Sequence, residues 1–170
     1  MSVTLHTTLG SIKLDLFCTQ CPQTCTNFLA LAASSYYDNV PIHRSIPGFL
    51  FQSGDGVLRT GKHPGRSYLG ENQFIPDEIH PALRHDKRGV LAMANRKEGE
   101  NLSQFYVTYG EQKHLDGKNT VFGRVVDGWD VLEKMEKMDV DKKGRFKGKK
   151  VFIERITIHA NPIADAEEGD

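Results

Sequence analysis

The sequence predicts a mainly β domain, a barrel or a sandwich carrying two helices, and three observations lead there. Residues 2–17 alternate polar and apolar side chains about Leu9-Gly10; short apolar runs then recur between stretches holding Gly, Pro and Asn; and helical spacing of apolar residues occurs only twice. Parallel βαβ winding would need many more helices. A chain of 170 residues with 38% hydrophobic side chains suits one sizeable core, and no internal repeat, linker or low-complexity block divides it.

In chain order, Ser2–Thr7 and Ser11–Phe17 bring Val3, Leu5, Ile12, Leu14 and Leu16 to the buried side of a hairpin. Pro22 suits a first helical turn, and Cys25, Phe28, Leu31 and Ala32 follow at helical spacing until Ser34-Ser35 and Asp38-Asn39; a helix is expected over about 21–34. Strands are expected within 41–51 and at 90–95, 104–108 and 120–126. After Asp127-Gly128, Val131, Leu132, Met135 and Met138 fall on one face of a second helix. Val151, Ile153, Ile156 and Ile158 mark a last strand whose apolar phase shifts at Glu154-Arg155, the sign of a bulge. The two helices would close the ends of the barrel.

Charge and motifs exclude several functions. Lys plus Arg and Asp plus Glu each number 22, so no global field draws the chain to nucleic acid, to a membrane surface or to an acidic substrate. The segment MSVTLHTTLG lacks a basic stretch followed by an apolar run, and nowhere do about 18 apolar residues follow one another. A soluble, unsecreted protein of the nucleus or cytoplasm is expected. Cys18, Cys21 and Cys25 crowd into eight residues, which fits a reducing compartment better than a disulfide framework. No fourth Cys or nearby His completes a tetrahedral site, and small apolar fillers on a helix are the preferred reading. GDGVLRTG at 54–61 matches neither phosphate-cradling glycine pattern, H-E-x-x-H and G-x-S-x-G are absent, and the seven His are dispersed. No cofactor and no metal are expected.

One segment identifies a family. Residues 42–55, IHRSIPGFLFQSGD, closely resemble the cyclophilin active-site pattern F-H-R-x-I-x-G-F-M-x-Q-x-G-D. MAN at 93–95, SQFYVT at 103–108, HLDGKNTVFGRV at 114–125 and TCTNFLAL at 24–31 accompany it in family order. The chain is thereby identified as a member of the cyclophilin-type peptidyl-prolyl cis/trans isomerases over residues 1–161, with 162–170 as an acidic tail. MSVTLHT and ITIHANP look most like the small cyclophilin-like 3 subgroup associated with the spliceosome. The resemblance implies a closed eight-stranded antiparallel β-barrel capped by two helices, its interior filled with side chains and its ligand on the outer face.

The chemistry of such a reaction suits these residues. Amide resonance opposes rotation by about 18 to 20 kcal/mol, whereas cis and trans X-Pro differ by only about 1 kcal/mol, and no bond is made or broken. A catalyst can hold the proline ring in an apolar pocket and give the prolyl nitrogen a hydrogen bond that disfavours conjugation. Arg44 suits that role because its guanidinium is permanently charged and rich in donors. The resemblance implies that Phe49, Leu50, Tyr106 and Leu115 line the pocket, that Gln52 positions Arg44, and that His43 stands at the pocket edge. It further implies that Asn95 and Gln104 hold the substrate backbone, with Ala94, Arg96, His114 and Asn119 around it. A proline-recognising scaffold with little turnover is the alternative; Arg44 favours the enzyme, since binding alone needs no donor at the prolyl nitrogen.

Several positions depart from the family. Tyr106 replaces a usual Phe and brings a hydroxyl that needs a partner if buried. His114 stands where many members carry the Trp that binds cyclosporin, so weak or no cyclosporin binding is expected, and Asn119 replaces a common His. Arg96 replaces a small Ala, Lys97–Asn101 replaces the more usual G-P-N-T-N run, and Lys62–Gly65 stands where two adjacent glycines are expected. The stretch DKKGRFKGKK, 141–150, surrounds Phe146 with cations. A solvated loop is preferred there; the alternative is a mobile loop whose cations meet RNA phosphates while Phe146 stacks on a base. Expected partners are proline-containing peptides or proteins, spliceosomal ones among them, met by a monomer away from any membrane.

Overall fold

The edges of the sheet set its shape. The computed structural model describes residues 1–159, so the expected tail at 162–170 lies outside the described residues. β1 (Ser2–Thr7) and β2 (Gly10–Leu16) form the expected hairpin, with Val3 opposite Leu14 and Leu5 opposite Ile12. α1 (Pro22–Ala33) begins at Pro22, whose missing N–H is no loss in a first turn, and buries Cys25, Phe28, Leu31 and Ala32. Then come β3 (Val40–Pro41), β4 (Arg44–Ile46), β5 (Leu50–Ser53), β6 (Val90–Asn95), β7 (Asn101–Thr108), β8 (Val121–Asp127), α2 (Trp129–Glu136) and β9 (Phe152–His159). Met138 lies past the end of α2 yet still packs on the core.

The strands form one antiparallel sheet in the order β3-β9-β1-β2-β8-β6-β7-β5-β4. Nine strands replace the expected eight, and among the described residues no ladder joins the two edges, β3 and β4. The cause lies at Ile42-His43: the Ile42 N–H still bonds to Val151 O beside β9, whereas the Ser45 N–H bonds to Gly144 O, so the chain steps from one edge of the sheet to the other. Laid flat, nine strands would hold their edges roughly 38 Å apart, but Pro41 and Arg44 are at most about 11 Å apart along the chain. The sheet must therefore curl.

Alternation sorts the side chains onto two faces. Inward lie Val3, Leu5, Ile12, Phe51, Leu91 and Phe105 with the rest of the main core. The Phe28 ring of α1 plugs it, its centroid 5.3, 5.4 and 5.5 Å from those of Tyr37, Phe105 and Phe122. The phase slip at Glu154-Arg155 is a bulge: His6 faces Arg155 and Thr7 faces Ile153, leaving Glu154 unpaired. Cys21 and Cys25 are buried fillers whose thiols donate to the Val121 and Phe122 carbonyls of β8. No helix among the described residues is long and apolar enough to cross a membrane.

Residues 54–89 hold no strand and are pinned by side chains instead. The buried Asp55 carboxylate accepts from the backbone N–H groups of Val57, Leu58, Thr60, Gly61 and His63. Farther along, Asn27 of α1 accepts from the Tyr68 N–H, and Glu78 reaches back to accept from the Thr24 N–H and hydroxyl.

Candidate active site

Strand register assembles the candidate residues. Arg44 pairs with Gln52, Gln52 with Tyr106, Tyr106 with Ala92 and Ala92 with Val121, a single row across five adjacent strands. Directly opposed residues share a face, so this row lies on the outer surface of the sheet. Leu50, Val90, Ala92, Tyr106 and Val121 form a second apolar cluster there, with Phe49, Ala94 and Leu115 packed against it. The expected pocket residues Phe49, Leu50, Tyr106 and Leu115 therefore do come together, and His114 leans on Phe49 with ring centroids 5.7 Å apart. At the edge of this cluster the Arg44 guanidinium lies 5.7 Å above the Phe49 ring and, among the described residues, makes no hydrogen bond or ion pair.

Beside the cluster runs a groove of about 380 Å³ lined by Gln52, Gly61, Ala94, Asn95, Arg96 and Gln104, among others. Ala94 belongs to both, so the groove opens from the apolar cluster. Amides organise it: Gln52 Nε2 donates to Gln104 Oε1 at 2.8 Å, and Gln104 Nε2 donates to His63 O at 2.6 Å and Gly61 O at 3.3 Å. Asn95 donates to Asn101 Oδ1 at 3.0 Å, and Arg96 donates to Lys62 O. The far wall, 57–63, hangs on Asp55. Burial pushes the Asp55 carboxyl up, but the N–H groups of Leu58, His63, Val57 and Gly61 together outweigh it and hold it below the usual carboxylate value. At φ +82° Gly61 has no side chain to meet the His43 ring, which a Cβ there would approach to 2.1 Å.

Four expectations change. Gln52 spends its amide on Gln104 rather than on the guanidinium, so among the described residues its link to Arg44 is register alone. His43, at the step between β3 and β4, borders not the apolar cluster but a separate groove of about 280 Å³ with Arg59, Lys62, Arg145 and Lys150. Its Nδ1 is buried without a partner among the described residues, and burial lowers its pKa, with Arg44 adding to the fall and Asp55 opposing it. Asn119 uses its amide on Met93 O at 3.1 Å. Phe146 is 9% exposed in the main core and bridges to Val140, so it offers no face for a base; Asp141 ties the turn beside it through the N–H groups of Lys143 and Arg145.

Sequence reasoning missed two residues. Asp55 closes the family pattern at 42–55 and stands beside glycines, a turn-forming context, but neither signal says which groups its carboxylate gathers. His85, buried completely, accepts the Tyr106 hydroxyl at 2.7 Å; the need for a partner was legible in Tyr106, its identity was not. Among the described residues no cluster of three or more His, Cys, Asp or Glu stands ready to hold a metal ion.

With the geometry in view, the chain can be set against known proteins. Residues 2–158 match the family model described as cyclophilin type peptidyl-prolyl cis-trans isomerase/CLD. Peptidyl-prolyl cis-trans isomerase-like 3 of Gallus gallus is 51% identical over 164 residues, 96% of this chain and 99% of that relative. Its Homo sapiens counterpart is 49% identical with the same coverage. A crystal structure of a Cryptosporidium parvum cyclophilin type peptidyl-prolyl cis-trans isomerase, in the presence of the dipeptide Ala-Pro, superposes with a TM-score of 0.88 at 41% identity, covering 95% of this chain and all of that one.

Proposed function

The chain belongs to the cyclophilin-type peptidyl-prolyl cis-trans isomerases, and from that premise we propose how its own residues carry the isomerisation of X-Pro bonds. The proline ring rests on Tyr106 between Phe49, Leu50 and Leu115, and Arg44 gives the prolyl nitrogen the hydrogen bond that weakens amide resonance. Residues before the proline follow the groove past Ala94, Asn95 and Arg96. The observation that carries this reading is Arg44, held by a ring face and, among the described residues, by no acceptor, at the edge of an apolar cluster on the outer face. A guanidinium placed only for stability would be expected to meet a carboxylate or carbonyl. For the same reason enzymatic turnover is favoured over a scaffold with little turnover.

Every proposed role is filled by a side chain or backbone group, so isomerisation of an X-Pro peptide is expected to survive exhaustive chelation unchanged. A protease-coupled or NMR exchange assay checks this, and loss of rate with chelator would break the assignment. Cyclosporin is expected to bind weakly, because the imidazole of His114 covers less of the apolar rim at Phe49 than an indole does. His114→Trp should tighten it about tenfold in titration calorimetry, the scale of one buried aromatic contact.

The isomerase domain spans 1–161 with an acidic tail at 162–170, and closure through the Ile42-His43 step makes the curled sheet a barrel. The protein acts as a monomer in the nucleus or cytoplasm, a setting that the reduced thiols of Cys21 and Cys25 support. Its resemblance to the cyclophilin-like 3 subgroup supports spliceosomal proteins as partners. Any contact with RNA at 142–150 would rest on the cations alone.

A further inference from the structure

Behind the proline pocket stands a chain of three side chains, the buried rings of Tyr106 and His85 and the half-buried carboxylate of Asp116. Asp116 Oδ1 lies 2.9 Å from His85 Nδ1 and also accepts the His85 backbone N–H at 2.6 Å. A carboxylate only accepts, so Nδ1 carries the imidazole proton and Nε2 presents a lone pair. The Tyr106 hydroxyl, 2.7 Å from Nε2, therefore donates to it, with the two rings stacked at 17°. The polar tip of Tyr106 is thus drawn into the protein, away from the apolar cluster of Leu50, Phe49 and Leu115. Asp116 directly follows Leu115 in the chain, at the end of the turn Lys113–Leu115.

We infer that His85 is a positioning residue of the isomerase: through the Tyr106 hydroxyl it keeps the floor of the proline pocket apolar, and through Asp116 it ties that floor to the Leu115 wall. This rests on the placement of Tyr106 and Leu115 in the pocket. Protonation would undo it, because imidazolium carries hydrogen on both nitrogens and the tyrosyl proton must then find another acceptor. Burial opposes the imidazolium most, His114 opposes it too, and Asp116 and Asp86 favour it; the balance lies below the ordinary histidine value. The pocket should therefore loosen only on the acid side of that value.

The test is a double-mutant cycle read in KM. His85→Leu should raise KM for an X-Pro peptide about tenfold with kcat within twofold, the scale of one buried hydroxyl left without its acceptor. In a Tyr106→Phe background the same change should leave KM unmoved, and His85→Gln, whose amide oxygen can accept the hydroxyl, should recover most of the loss. KM of the unaltered protein should rise as pH falls below the ordinary histidine value, and Tyr106→Phe should abolish that limb. An equal KM increase in both backgrounds, or the same acid limb with and without the hydroxyl, would overturn the inference while leaving the pocket intact. Should His85→Leu fail to fold, the acid limb and His85→Gln decide alone. Tyr106→Ala with unchanged KM would instead remove the pocket reading itself.

Discussion

Arg44→Ala should lower kcat/KM for an X-Pro peptide by about 3 kcal/mol, roughly a hundredfold, the expected cost of losing one charged donor aimed at the reacting nitrogen. The fold should hardly notice, because the guanidinium rests over the Phe49 ring at 5.7 Å and has no polar partner among the described residues to abandon. What the protein loses is a cation–π contact of about 0.5 to 1 kcal/mol. Arg44→Lys should fall between the two proteins, since an ammonium on a flexible stem keeps the charge but not the planar fork. Stopped-flow or NMR exchange rates with melting curves of the same samples decide the matter. Equal rates for the Ala variant would end the mechanistic assignment.

Asp55→Ala should be the most destabilising polar substitution in the molecule, by about 3 kcal/mol, because five backbone N–H groups lose one buried anionic acceptor together. In a domain of this size that lowers the melting temperature by roughly 6 to 12 °C. The pH dependence has a definite sign. The folded carboxyl titrates below its unfolded value of 3.8, so its contribution is complete above 3.8 and disappears as pH falls through the lower folded value. Melting temperatures of the two proteins should therefore converge in acid and stand farthest apart at neutral pH. A constant gap across pH would show that the carboxylate charge is not what organises 57–63. Because Gly61 and His63 anchor Gln104, KM should rise as well.

Local periodicity made most of the elements legible. The helix at Pro22, the hairpin, and even the bulge at Glu154 follow from spacing alone, since each depends on neighbours within one or two turns of chain. Long-range effects were hidden. Nothing near Ile42 says that Pro41 and Arg44 lie on opposite edges of one sheet, because that depends on where β9 and β5 come to rest. Phe146 shows the complementary failure: six neighbouring cations give it the look of solvent, yet its bridge to Val140 is too short to leave a periodic trace. The site residues were placed by an extended family pattern, whereas their partners were not. Gln104, His85 and Asp55 bond to groups tens of residues away or to backbone, and backbone acceptors leave no mark in a sequence.

The position of β1 also bears on synthesis. β1 lies between β2, its near neighbour in the chain with Thr7 facing Gly10 and Ser2 facing Asp15, and β9, more than a hundred and forty residues downstream, with Ser2 facing His159. During translation the first strand therefore waits, one ladder unfilled, until residue 159 has left the ribosome. Its alternating apolar residues are available to other chains throughout that interval. Folding limited by so distant a pairing is slow for its size. The sheet is thus completed only once the β9 residues that face β1 have been made.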